Sequence, residues 1–259
     1  MSNNFAVFAG KELGYESLKF FIKIKHKPKL IILNDDDNGK DNIFHKSCLK
    51  LAKKHNLNHF KLKNNKNFYK RFKNLDYIFC LGSTKIIPVE ILKMIKIGSI
   101  NIHPSLLPKY RGRYSTVNAI LNGEKFTGLT VHWIGSEIDH GNIIIKKKII
   151  IQEYYSAKDL YDKFTVQALL EFKKLFKKIL RNEIISSKKI KKSYPKYNKK
   201  KLPHNGIINW NWNGKKILNF IKAMTHEPFE PPKFFLGKKT FYVVERNLLK
   251  KKNFSKSPK

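Results

Sequence analysis

Three polar side chains placed where strands should end carry most of the chemical information in this sequence. Asn101 and His103 stand two residues apart in Ser99-Ile-Asn-Ile-His-Pro104, so both side chains leave one face of an apolar strand. Pro104 stops that strand because it has no N–H to give to a sheet ladder. Downstream, the alternating stretch Gly128 to Ile134 reads as another strand, followed by a turn that carries Asp139. An amide, an imidazole and a carboxylate at strand ends are the parts needed to move an acyl group. Spacing alone shows only that these groups can converge.

The run Pro104-Ser-Leu-Leu-Pro-Lys-Tyr-Arg-Gly112, together with Asn101, His103 and the Asp-x-Gly at Asp139 to Gly141, resembles the formyltransferases that use 10-formyltetrahydrofolate. That group includes methionyl-tRNA formyltransferase, glycinamide ribonucleotide formyltransferase and the sugar-nucleotide N-formyltransferases. The likeness covers roughly residues 5 to 180, and the C-terminal segment less clearly. It implies an N-formyltransferase with 10-formyltetrahydrofolate as donor cosubstrate and no metal. It also implies roles for the three residues. Asn101 offers an amide N–H to the tetrahedral oxyanion, a kind of donor worth roughly 3 to 4 kcal/mol of barrier, and His103 adds a second donor. With Asp139 against it, His103 is expected to have a raised pKa and to carry charge, while Asp139 takes the amine proton through an ordered water. The segment after the third expected strand, Leu81-Gly82-Ser83, and the stretch Ile138 to Gly141 resemble the lining of the folate pocket. Ser105, Tyr110 and Arg111 lie in the loop expected to meet the acceptor, where Arg111 suits an anionic group.

Each residue has a blander reading. A lone strand-end histidine is usually a satisfied structural group, and Asp near Gly is a common turn former; the ordered set favours catalysis for both. Arg111 as a surface charge, with Leu106 and Leu107 packing the loop, is the alternative to acceptor contact. His132 lies with Thr130 on one face of its strand and is read as structural or supporting. Cys48 and Cys80 read as buried thiols. Asp35, Asp36 and Asp37 lack the alternate spacing of a calcium loop and read as a solvated turn.

The 259 residues allow one large domain with a small appendage, and 41% hydrophobic content suffices for a core. Lys or Arg interrupts every apolar run before it reaches membrane-spanning length. The first ten residues read as a strand and not as a signal peptide, and two cysteines do not make a disulfide scaffold. These features point to the cytoplasm. A formal charge of +35 invites a nucleic-acid partner, but only five of the 54 basic residues are Arg and the Lys are spread along the chain. A solvated lysine-rich surface is the better reading, with nucleic acid left open as a partner.

Alternating strands and helices to about residue 100 predict an α/β fold with an open, mostly parallel Rossmann-like sheet flanked by helices. Strands are expected at 5–9, 30–33, 77–81, 100–102, 128–134 and 143–151. Helices are expected at 15–24 after a Gly10/Gly14 turn, at 41–55 capped by Asp41 or Asn42, after Pro88, at 115–121 and from about Ser156 to Leu180. Residues 1–187 then form the catalytic domain and the Lys-rich 188–204 a linker. A small α+β segment at 205–249 would hold a strand at 207–210, a helix at 214–224 and a strand at 241–244, before a disordered tail at 250–259.

The acceptor is narrowed by what surrounds the motif. Ala9-Gly10-Lys11-Glu12-Leu13-Gly14 makes a poor phosphate nest, against glycinamide ribonucleotide. Asp35 to Asp37 follow the second strand, where a tRNA-reaching basic loop would be needed, and few residues follow Trp210. The sugar-nucleotide enzymes fit better, with Trp210, Trp212, Phe229 or Phe234 as a stacking partner for a base. The expectation is formylation of an amino-deoxy sugar on a dTDP or UDP carrier, for surface polysaccharide such as lipopolysaccharide, with room for a homodimer. Methionyl-tRNA formyltransferase is the alternative. A non-catalytic RNA-binding protein on the same fold is the further one.

Overall fold

The computed structural model describes residues 4–42, 44–190, 196–197, 203–224 and 230–243. The first half of the chain alternates: β1 (Phe5–Ala9), α1 (Lys11–Lys23), β2 (Leu30–Leu33), α2 (Cys48–Lys54), β3 (His59–Lys61), α3 (Lys66–Tyr69), β4 (Tyr77–Leu81), α4 (Val89–Met94) and β5 (Gly98–His103). There follow β6 (Arg111–Gly112), α5 (Ser115–Leu121), β7 (Phe126–Trp133), β8 (Ile143–Ile150) and α6 (Ala157–Leu180). Beyond them come β9 (Lys196–Tyr197), α7 (Gly214–Ala223), β10 (Lys233–Leu236) and β11 (Lys239–Tyr242).

Seven strands form one sheet in the order β3-β2-β1-β4-β5-β7-β8. The first five in that order run parallel, whereas β7 and β8 return antiparallel. The fold expected from the alternation is therefore the fold observed. Every residue of β1, β2 and β4 is buried, as strands covered by helices on both faces must be. Alternate residues of β1 divide between two cores: Phe5, Val7 and Ala9 face α1 and α6, while Ala6 and Phe8 face the side of α3 and α4. Phe172 and Phe176 of α6 meet Phe79 of β4 edge-on, with ring centroids 5.3 and 5.8 Å apart. Ser156 and Asp159 cap α6 reciprocally, which fixes where this long helix starts across the sheet. Ile208, Phe220, Ala223 and Met224 bury into the same core.

Several boundaries differ from expectation, each for a local reason. α1 begins at Lys11 with Gly14 inside it, because Gly14 packs against the strand ends: a Cβ there would lie 2.9 Å from the Leu81 carbonyl oxygen. α2 begins only at Cys48. Its cap is Ser47, which accepts from the Lys50 N–H, while Asp41 is occupied by the Ser47 N–H and the Lys50 ammonium. The short β3 and α3 had no clear pattern in the sequence. Residues 207–210 do not form a strand. Ile207 makes one bridge to Lys233, after which the Asn209 side chain accepts from the Asn211 N–H and turns the chain. Of the strand expected at 241–244, residues 241 and 242 end β11, which pairs with β10 as a hairpin, whereas 243 is outside it and 244 lies outside the described residues. Most of 188–204 and all of 250–259 lie outside the described residues. At two described points the Lys-rich segment is tied down: Lys188 bridges Ile143, and β9 pairs in parallel with β6. Among the described residues no helix is long and apolar enough to cross a membrane.

Gly82 ends β4 at φ +69°, and a Cβ there would lie 2.3 Å from the Gly10 carbonyl oxygen. Gly82→Ala is expected to lower stability by about 1 to 3 kcal/mol, read as a lower urea midpoint with an unchanged m-value.

Candidate active site

The antiparallel pairing of β5 with β7 sets Asn101 opposite His132 and His103 opposite Thr130, so four polar side chains share one face at the end of the sheet. Asp139 reaches them from the turn after β7, in a left-handed conformation at φ 52° that Asp tolerates. The Asp-x-Gly spacing has a steric cause. A Cβ on Gly141 would lie 1.7 Å from the Trp133 carbonyl oxygen, so only glycine lets the chain return so close to β7.

The contacts fix most proton positions. The Asn101 amide nitrogen donates to Asp139 Oδ1 at 3.2 Å and lies 3.1 Å from His132 Nε2. His103 Nε2 lies 2.8 Å from the Tyr110 carbonyl oxygen, which only accepts, so Nε2 carries a proton and Nδ1 faces Asp139 Oδ2 at 3.4 Å. Ser115 Oγ sits 3.1 Å from the same Nε2 and also donates to the Tyr110 carbonyl. The Gly112 N–H donates to Asp139 Oδ2 at 2.8 Å.

Burial pushes His103 below the ordinary histidine value, against the pull of Asp139 and the Tyr110 carbonyl. The expected upward shift is therefore corrected: loss of water outweighs the neighbouring carboxylate. For Asp139, burial works upward but is outweighed by His103, His132 and the Gly112 N–H, and the carboxyl stays well below the usual carboxylate range. The Asn101 and Gly112 N–H groups donate to the carboxylate, one to each oxygen.

These groups line a cleft of about 700 Å³ at the carboxyl ends of the parallel strands, the usual place for a ligand in an open α/β sheet. Gly82, Ser83 and the apolar Ile86, Ile87, Val89 and Leu92 come from the segment after β4. Ile134 and Ile138 come from beyond β7, Tyr114, Ser115 and Thr116 from the start of α5, and Tyr161 and Phe164 from α6. Asn34 sets the segment after β4 by accepting from Ser83 Oγ and the Thr84 N–H, each at 3.0 Å. Cys80 also lines the cleft, with its thiol pushed up to about 12 by burial.

Of the expected folate-pocket residues, Gly82, Ser83 and Ile138 line the cleft. Leu81 is buried behind it, and Gly141 packs on β7. The three residues expected to meet the acceptor turn inward instead. Ser105 is fully buried and donates to the Lys109 carbonyl. The Tyr110 hydroxyl donates to Glu124 while its carbonyl holds His103. Arg111, 6% exposed, places Nε and Nη2 on the Ile138 carbonyl at 3.0 and 2.7 Å and Nη2 near Glu137. The physical reason is that the turn bearing Asp139 offers a carbonyl beside the loop, and a buried guanidinium needs such acceptors. The loop's cleft-facing residues are instead Pro104, Gly112, Arg113 and Tyr114. Trp210 packs edge-on against Phe234, and Trp212 against Phe220, away from the cleft lining; Phe229 lies outside the described residues. Ser115 was missed because a serine opening a helix reads as a cap. Only the strand register reveals that His132 faces Asn101.

A mostly parallel sheet that brings an amide, an imidazole and a buried carboxylate to one cleft is equipped for acyl-group transfer, and comparison with known proteins gives the class. A model described as formyl transferase matches residues 37–171. The chain is 37% identical over 223 residues to the bifunctional polymyxin resistance protein ArnA of Wigglesworthia glossinidia brevipalpis, covering 85% of this chain but only 34% of that protein. It is 32% identical over 182 residues to GDP-perosamine N-formyltransferase of Brucella melitensis, covering 70% and 69%. It is 33% identical over 240 residues to methionyl-tRNA formyltransferase of Thermodesulfovibrio yellowstonii, covering 86% and 74%. Among solved structures, the N-formyltransferase from Helicobacter canadensis in complex with folinic acid and dTDP-3-aminofucose superimposes with a TM-score of 0.72 at 28% identity, covering 85% of this chain and 80% of that one. The chain belongs to the formyl transferase family.

Two outcomes check this geometry. Arg111→Gln should lower stability by about 2 kcal/mol, because it removes charged donors from the Ile138 carbonyl; a residue that only touched the acceptor would change KM and leave the melting temperature alone. The second concerns pH. Because the His103 pKa is depressed on folding, the unfolded chain takes up its proton first. Stability from this group is full above about pH 6.5 and is lost as pH falls toward the lower folded value. Asp139, also depressed, contributes above about pH 3.9 and loses that only at more acid pH. Melting curves of wild type and His103→Gln should therefore converge as pH falls below about 6.5.

Proposed function

We propose that this chain transfers a formyl group from 10-formyltetrahydrofolate to the amine of a nucleotide-linked amino-deoxy sugar, a dTDP or UDP sugar used in surface polysaccharide. The observation that carries the transfer is the meeting of Asn101, His103 and Asp139 within 3.4 Å on the wall of a cleft of about 700 Å³. The neutral amine attacks the formyl carbon, and the resulting oxyanion takes an N–H of Asn101. Asp139, ionised and buried, accepts the proton from the amine. That proton passes to His103 Nδ1, which faces it, and the imidazolium then both stabilises the oxyanion and protonates the leaving N10 of the folate. One C–N bond forms, one breaks, and the proton lost by the acceptor reaches the donor nitrogen.

In the resting site the Asn101 nitrogen already faces Asp139 and His132. Proton uptake by Asp139 weakens its Oδ1 as an acceptor and releases an amide N–H to the oxyanion as negative charge develops there. Donor and acceptor steps are thereby coupled.

The sugar-nucleotide acceptor is supported by the likeness to the Helicobacter canadensis enzyme over four-fifths of its length and to the Brucella melitensis enzyme. Methionyl-tRNA remains a second reading, favoured by the similarity to the Thermodesulfovibrio yellowstonii protein over most of this chain. The deciding assay presents 10-formyltetrahydrofolate with dTDP- and UDP-linked 3-amino and 4-amino sugars, charged initiator tRNA and glycinamide ribonucleotide. Formylation of an amino sugar is expected, and turnover of charged tRNA alone would refute the acceptor assignment. Asn101→Ala is expected to lower kcat roughly 100- to 1,000-fold with folate binding retained. His103→Ala and Asp139→Ala should leave still less activity, and full activity in His103→Ala would refute the mechanism.

A further inference from the structure

His132 is 1% exposed and plays no part in the proton path above. Its Nδ1 lies 2.8 Å from the Trp133 carbonyl oxygen, which only accepts, so Nδ1 carries the proton. In the neutral ring the other nitrogen, Nε2, is a lone pair; the Asn101 amide nitrogen lies 3.1 Å from it and Asp139 Oδ1 3.5 Å. The Asn101 nitrogen thus has two acceptors, His132 Nε2 and Asp139 Oδ1. They respond differently to turnover. An ionised Asp139 holds the nitrogen end of the amide toward it. A protonated Asp139 is a donor and would instead favour the oxygen end, turning the amide over at the moment an N–H is needed.

We infer that His132 is a positioning residue: its Nε2, fixed as an acceptor by the Trp133 carbonyl, keeps the amide nitrogen of Asn101 facing the reaction site while Asp139 changes charge. The inference rests on the formyl-transfer reading, since it assigns the proton uptake to Asp139. Asn101 and His132 are direct cross-strand partners on β5 and β7, so the contact is held by the sheet itself. A purely space-filling role would need only a ring of this size.

The test compares His132→Phe, which keeps the ring volume, His132→Gln, whose amide oxygen reaches the Nε2 position, and His132→Asn, whose amide reaches only the Nδ1 position. Turnover is measured with 10-formyltetrahydrofolate and the best amino-sugar acceptor, and the Asn101 side-chain amide is followed by 15N NMR, assigned by its absence in Asn101→Asp. His132→Phe is expected to lose kcat roughly 10- to 100-fold, with unchanged KM for the folate and an Asn101 amide proton shifted upfield. His132→Gln should recover turnover and the amide shift. Wild-type turnover in His132→Phe, or an unmoved amide resonance, would overturn the inference. Where His132→Phe does not fold, the polar pair decides: Gln above Asn supports the inference, and equal losses overturn it. A wild-type protein that formylates nothing sinks the formyl-transfer reading instead, while the amide resonance still reports on the contact.

Discussion

A carboxylate removed from water has to be compensated where it stands, and at Asp139 that requirement organises the surrounding chain. An unpaired buried charge costs several kcal/mol, yet this side chain is 11% exposed and held ionised. Its compensation comes from two hydrogen-bond donors, the Gly112 N–H on the loop after β5 and the Asn101 amide on β5, with the His103 and His132 rings packed beside it at 3.4 and 3.5 Å. Each contact is delivered by a different feature of the fold. Only an antiparallel β7 beside β5 puts His132 opposite Asn101. Only a glycine at 141 lets the turn come back far enough to bring the carboxyl into reach.

The loop from Pro104 to Tyr114 is the second half of that requirement. Thr130 accepts from the Leu107 N–H and donates to the Ser105 carbonyl, tying the loop to β7. Arg111 clamps the carbonyl next to Asp139, and β9 pairs along its other edge. Tyr110 supplies the carbonyl that decides which His103 nitrogen holds the proton. A loop with this many buried polar groups is stable only because each has a partner, and the side chains of Ser105, Tyr110 and Arg111 are therefore turned toward the protein and away from the cleft.

This explains which parts were legible in the sequence. The strands with continuous apolar runs, β1, β2 and β4, and helices α5 and α6 announced themselves by pattern. Asn101, His103 and Asp139 could be placed together because strand ends converge in an open α/β sheet. What failed was whatever depended on a competition between partners. Asp41 and Ser47 are both good caps, and the hydrogen bond between them decided for Ser47. Gly14 looked like a turn because its close approach to Leu81 is a long-range fact. Arg111 looked like a phosphate ligand because nothing in the sequence says that the Ile138 carbonyl lies beside it. The direction of the His103 shift was misjudged for the same reason: proximity to Asp139 could be read, but the depth of burial could not.

Net charge shows the same distinction between surface and site. A chain of +35 suggests an electropositive cleft, yet the charged residues lining it balance: Lys11, Lys85 and Arg113 against Asp36, Glu137 and Asp139. Lys85 is moreover ion-paired with Asp35 at the rim. The excess lysines lie elsewhere, on faces such as β8, where Lys146, Lys147 and Lys148 are exposed. At physiological ionic strength exposed charges act over about 8 Å, so this excess can raise the encounter rate of anionic substrates without setting the potential at the reacting atoms. Inside the cleft the field is that of a few fixed groups around one buried carboxylate. The lysine-rich surface and the site are thus electrostatically separate features of the same chain.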